Sequence, residues 1–115
     1  MVSVLVSVLF GASSLYAQAG KNFLDGKTIT FLVGSSAGGG TDLTARLIAR
    51  HIERHLPGKP RIDIANKPGA GGNIGADAGA KAAADGYTLT LAAAGFMAVN
   101  PSLYTNLTYN SVTDF

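Results

Sequence analysis

Thr28-Ile-Thr-Phe-Leu-Val-Gly-Ser-Ser-Ala-Gly-Gly-Gly-Thr-Asp42 is the stretch on which the fold turns. Its first six residues are apolar apart from two threonines and read as a buried strand. A glycine-rich turn follows. From Thr41 or Asp42 to Leu56 the pattern changes period: Ala45, Ile48, Ala49, Ile52 and Leu56 fall on one helical face, with Arg46, Arg50, Glu53 and Arg54 opposite. Leu43 and Leu47 lie off that stripe. Pro57-Gly58 ends the helix. A strand, a glycine turn and a helix N-terminus in succession form a natural anion site. The glycines let the backbone approach a ligand, and the first helical turn offers unpaired N–H groups at the positive end of the dipole.

The pattern repeats outward from this unit. Arg61-Ile-Asp-Ile-Ala65 alternates with period two and predicts a second strand. Asn66–Gly72 is a loop, and Asn73 is placed to cap a short alanine-rich helix running to about Ala83. Asp85-Gly86 signals a turn, Tyr87–Ala92 a third strand, Ala93–Phe96 a loop, and Asn100-Pro101 a further break. A β-α-β-α-β order with short connections predicts an α/β fold with a parallel sheet and right-handed crossovers. With strand order 2-1-3, the switch point lies between strands 1 and 3, where such sheets bind ligands at the strands' carboxyl ends. The loops at 34–42 and 93–96 would then flank one crevice, with the 66–73 loop on the other side of strand 1 at the same end. The candidate ligand-binding residues are Ser35, Ser36, Gly38, Gly39, Gly40, Thr41 and Asp42 on the first loop and Ala94 and Gly95 on the second. Asp42 is expected to face the loop backbone, since a carboxylate aimed into the crevice would repel an anion.

Composition narrows the possibilities. The chain has 115 residues, one small domain's worth, and fifteen of them are glycine, in keeping with tight turns and close helix packing. It has no cysteine, which excludes disulfides, a thiolate nucleophile and Cys-ligated zinc. The net charge is +2, and Lys27, Lys59, Lys67 and Lys81 are scattered rather than clustered, which argues against a nucleic-acid partner. At the N-terminus, Val2–Phe10 is apolar apart from two serines, and small residues lead to Ala17-Gln-Ala19. This is the form of a signal peptide over residues 1–19, with a mature chain from Gly20, although no Lys or Arg precedes the apolar run. A membrane anchor is the competing reading. Gly11, Ser13, Ser14 and Gln18 suit a cleavage region better.

Other chemistries fit the residues less well. Gly34 to Gly39 frames a P-loop, but Gly40 stands where its lysine belongs. Gly69-Ala-Gly-Gly-Asn-Ile-Gly75 is one residue too long for a dinucleotide fingerprint and reads instead as a turn followed by close helix packing. His51 and His55 have the i, i+4 spacing of zinc ligands but lack the rest of the motif, so a plain helix-surface role is expected and no metal or cofactor is assigned. No nucleophile–base arrangement is evident, and Ser35 and Ser36 read as hydrogen-bond partners for a ligand or the loop.

Five motifs, in order, carry a resemblance: Gly38-Gly-Gly-Thr-Asp42, Asn66-Lys-Pro-Gly-Ala-Gly-Gly-Asn-Ile-Gly75, Asp85-Gly-Tyr-Thr-Leu89, Asn100-Pro-Ser-Leu-Tyr104 and Asp114-Phe115. Together they resemble the Bug family of periplasmic solute receptors that serve tripartite tricarboxylate transporters. The resemblance implies a two-lobed, type II periplasmic-binding-protein fold closing over a small carboxylate. The carboxylate would be held by backbone amides and water and delivered to the membrane transporter subunits of the tripartite system. Family members are much longer, so residues 20–115 are expected to be the N-terminal part of lobe one, without the second lobe. The family often carries an aromatic residue and prolines where this chain has Ser35, Ser36 and Ala37, a smaller and more polar wall. The expectation is therefore a periplasmic receptor and not an enzyme. The alternative is a small α/β enzyme handling an anionic phosphate or carboxylate substrate.

Overall fold

The computed structural model describes residues 22–115. The segment expected to be a signal peptide lies outside the described residues.

Strand β1 (Thr28–Val33) is the centre of a three-stranded parallel sheet of order β2-β1-β3, with β2 at Arg61–Asn66 and β3 at Thr88–Thr90. The strand order assumed from sequence is the observed one. Val33 pairs in register with Asn66, and Leu32 with both Ala65 and Thr90, so the three strands end together and present one common carboxyl edge. Pairing of β3 runs slightly beyond its regular core: Thr30 N–H donates to Tyr87 O at 2.8 Å and Leu91 N–H to Leu32 O at 2.9 Å.

The two crossovers, β1 to β2 and β2 back past β1 to β3, run in opposite directions along the sheet, so right-handed connections set their helices on opposite faces. Helix α1 (Gly40–His55) covers the face presented by Ile29, Phe31 and Val33. Its predicted stripe does the packing: Ala45 and Ala49 are buried, and Ile48, Ile52 and Leu56 close over them with Ile62 of β2. Leu43 and Leu47, off the stripe, are each 60% exposed. Glu53 reaches past the end of the helix, and its Oε1 accepts the Ile62 N–H at 2.7 Å, so one residue of the supposed solvent face joins helix to strand.

Helix α2 (Asn73–Ala80) covers the other face. It ends earlier than the sequence predicts because Ala82 N–H turns back to Gly79 O, an i→i−3 bond that closes the last turn. Its N-cap is Gly72, at φ 96°, rather than Asn73. The Asn73 side chain is engaged elsewhere: its Oδ1 accepts from Asn100 Nδ2 at 2.6 Å and lies 2.9 Å from the Tyr109 hydroxyl. A second cluster, Ala76, Phe96 and Tyr109 with Ala93, Met97 and Leu107 around them, forms on this side.

The expected break at Asn100-Pro101 is absent. A π-helical turn, Gly95–Val99, runs directly into the short helix α3 (Asn100–Leu103). Pro101 falls in the first turn of α3, where its missing N–H costs nothing.

Candidate functional site

At the carboxyl edge of the sheet lies an open cleft of about 370 Å³. Three segments converge on it. The first leaves β1 at Gly34 and contributes Ser35, Ser36 and, at the start of α1, Thr41. The second, after β2, contributes Pro68, Gly69, Gly71 and Gly72. The third, after β3, contributes Leu91, Ala93, Gly95 and Phe96. One wall is thus backbone and hydroxyl groups, the other is apolar, and none of these lining side chains carries a charge.

Of the residues singled out from sequence, Ser35, Ser36, Thr41 and Gly95 line the cleft, whereas Gly38, Gly39, Gly40, Asp42 and Ala94 are outside its lining. Two of the glycine N–H groups are already engaged. Gly38 N–H donates to Asp42 Oδ2 at 2.8 Å and Gly39 N–H to Ser36 O at 3.2 Å. The first-turn N–H groups of Gly40, Thr41 and Asp42 remain those without intrahelical partners.

Asp42 faces the loop backbone, as expected. It is 1% exposed, and both oxygens are occupied: Oδ2 by Gly38 N–H and by Arg46 Nε at 2.9 Å, Oδ1 by Asn66 Nδ2 at 2.9 Å. These donors, with Arg46 foremost, then Gly38 and Asn66, hold its carboxyl down to about 2. Asn66 also donates to Ser35 O at 3.0 Å. Asn66 and Asp42 therefore clamp the β1–α1 loop from its base, giving it a fixed shape that its glycines alone would not impose. Asn66 was read from sequence as a loop residue. The signal for its role is its register opposite Val33, at the point where β1 opens into the loop.

The 66–73 segment departs from expectation. Rather than standing on the far side of β1, it crosses the end of that strand and forms part of the cleft wall. The reason is steric. Gly72 lies against Gly34, where a Cβ on Gly34 would stand 3.1 Å from Gly72 O. Gly75 lies closer still, its Cβ position 2.6 Å from Gly34 Cα. Only glycines at these positions let α2 begin directly over the strand end, which is the close helix packing read from the Gly69–Gly75 motif. Beyond them, Asn100 Nδ2 donates to Gly71 O at 3.3 Å, and the Tyr109 hydroxyl, 2.7 Å from Phe96 O, ties the third segment to the same network. Burial pushes the Tyr109 hydroxyl up from its ordinary value.

The histidines lie away from this edge. His51 is exposed, with Nδ1 2.9 Å from Leu47 O of its own helix, and His55 is exposed in the last turn. Among the described residues no group of three or more His, Cys, Asp or Glu side chains converges as a metal site.

A family model described as the tripartite tricarboxylate transporter family receptor matches residues 44–115. The chain belongs to this family. BugT of Bordetella pertussis is 35% identical over 111 residues, which are 96% of this chain and 33% of that protein. The structure of the periplasmic binding protein BugD superposes with a TM-score of 0.73 at 38% identity, over 77% of this chain and 29% of that one. MatC from Rhodopseudomonas palustris, solved with bound malate, gives 0.72 at 37% identity, over 77% of this chain and 30% of that one. The parallel α/β fold is therefore the one found in periplasmic binding proteins of this receptor family. The chain spans about a third of the length of the curated relatives it matches.

Proposed function

We propose that this chain is part of an extracytoplasmic solute receptor that captures a small carboxylate and delivers it to the membrane subunits of a tripartite tricarboxylate transporter. The observation that carries the reading is the cleft at the switch point of the sheet. There Thr41 at the α1 N-terminus, the glycine backbone, Ser35 and Ser36 form a polar side opposite an apolar wall. Such a wall suits an anion bound through backbone dipoles and hydrogen bonds. The malate held by MatC supports the same ligand class.

In this reading Ser35, Ser36, Thr41 and Gly95 touch the ligand, joined by Gly34 and the 69–72 turn. Asp42 and the Gly38–Gly40 backbone shape the loop from behind. Residues 20–115 are the N-terminal part of lobe one, and residues 1–19 are a signal peptide directing the receptor to the periplasm. In this reading the receptor is not an enzyme, which its membership of a transporter-receptor family supports.

Isothermal titration of the complete natural polypeptide against a panel of di- and tricarboxylates tests the reading. Saturable one-to-one binding of at least one acid is expected. Absence of heat across the whole panel would overturn it.

A further inference from the structure

Ser35 is the one residue of the polar wall whose side chain is at odds with its surroundings. Its Oγ is shut away from solvent and has no hydrogen-bond partner among the described residues. An enclosed, unpaired hydroxyl is a net liability, and such groups in folded proteins call for an explanation. The main chain at this point is not at fault. Ser35 O is held by Asn66 Nδ2 at 3.0 Å, and Asn66 is held in turn by the buried Asp42. The backbone is pinned, and the hydroxyl keeps a single free torsion, χ1, with three staggered positions. Ser35 lines the cleft, so a change of χ1 rotamer is the movement that would turn the hydroxyl toward its open space, where a ligand group can supply the missing partner.

We propose that Ser35 is a specificity-determining residue that selects carboxylates bearing a hydroxyl on the carbon chain over their unsubstituted analogues. This rests on the carboxylate-receptor reading and sharpens it. A carboxylate has the unpaired Thr41 N–H in the first turn of α1 and the glycine backbone available to it, and those donors bind any acid alike. A ligand hydroxyl differs, because it can both donate to and accept from a serine hydroxyl. Across the cleft, the side chains of Leu91, Ala93 and Phe96 offer such a hydroxyl no partner, so the polar wall fixes which way round the acid lies. An acid without the hydroxyl leaves Ser35 unpaired in the complex as well, and sites that lose one side of a buried polar pair reject the deficient ligand.

The test is a two-by-two comparison on the complete natural polypeptide, wild type and Ser35→Ala, titrated with L-malate and succinate. The wild type is expected to bind malate about tenfold more tightly than succinate. Ser35→Ala is expected to lose about that factor for malate and several-fold less for succinate. A second readout separates this role from a structural one. With no partner to lose, the ligand-free Ser35→Ala protein melts at the wild-type temperature or above it. Equal affinities in the wild type, an equal loss for both acids in the variant, or a lower melting temperature would each overturn the assignment while leaving the receptor reading in place. Failure of both acids and of the wider carboxylate panel would instead remove the receptor reading, and this inference with it.

Discussion

Gly75→Ala tests how the cleft is assembled. A Cβ at this position would lie 2.6 Å from Gly34 Cα and 3.1 Å from both Gly34 N and Lys67 O. Carbon atoms rest at about 3.5–4.0 Å, so α2 has to withdraw from the end of β1 by about 1 Å. All three opposing atoms are main chain, which leaves no side chain to rotate aside. Overpacking of this kind costs about 1–3 kcal/mol. In a polypeptide as long as the relatives, of which this chain spans about a third, each kcal/mol lowers Tm by about 2–4 °C at most. The retreat also carries Gly72, which packs on Gly34 and lines the cleft, so carboxylate affinity should fall by about tenfold or more. Thermal melting followed by circular dichroism, paired with calorimetric titration of the complete polypeptide, measures both effects. Gly40→Ala is the control: nothing lies within 4 Å of its added methyl, and alanine suits the first turn of a helix better, so Tm should hold or rise. A Gly75→Ala protein with unchanged Tm and unchanged affinity would refute the argument that this helix must sit in contact with the strand end.

Three further outcomes are expected. The Asp42 carboxyl titrates near 2 in the folded protein, below its unfolded value of about 3.9, so its contribution to stability is complete above that value and is lost as pH falls toward 2. Acid unfolding curves of Asp42→Asn should show that loss of stability removed from this window. Tyr109→Phe leaves the buried Phe96 carbonyl without its hydroxyl donor and should cost about 1–3 kcal/mol by denaturant unfolding, with the m-value unchanged. The pair His51→Gln and His55→Gln, on the exposed side of α1, should leave carboxylate titrations as they are, and a large loss would revive a metal role for that helix.

The elements easiest to read were those with a strong period. β1 is an apolar run and α1 a clean stripe, and both appear within a residue or so of where the sequence puts them. Parallel pairing follows from connection lengths and handedness, whereas the strand order 2-1-3 is an assumption that the structure matches. What escaped the sequence depends on contacts between distant residues. Asn73 looks like a helix cap from its neighbours, but it is claimed by Asn100 and Tyr109, 27 and 36 residues away. Asn100-Pro101 looks like a break because proline usually is one, yet the preceding π-helical turn delivers it to a helix N-terminus, where proline is welcome. At the candidate site, Ser35, Ser36 and Thr41 could be named because their glycine context is local. The contribution of the 69–72 turn could not be placed, because it depends on Gly34 and Gly75 touching across the sheet.

The uncharged lining has a bearing on the conditions under which a receptor of this kind would operate. Mobile ions weaken attraction between full charges over about a Debye length, some 10 Å at 0.1 M salt, and weaken short contacts in an enclosed site far less. The part of the cleft built by this chain sets no lysine or arginine against a bound carboxylate, so these contacts leave added salt little to screen. The share of the affinity that they supply should stay nearly level from dilute to concentrated medium, whereas contacts built on ion pairs would loosen. A wall of this kind would keep its hold on an acid through changes of salinity that the protein does not control.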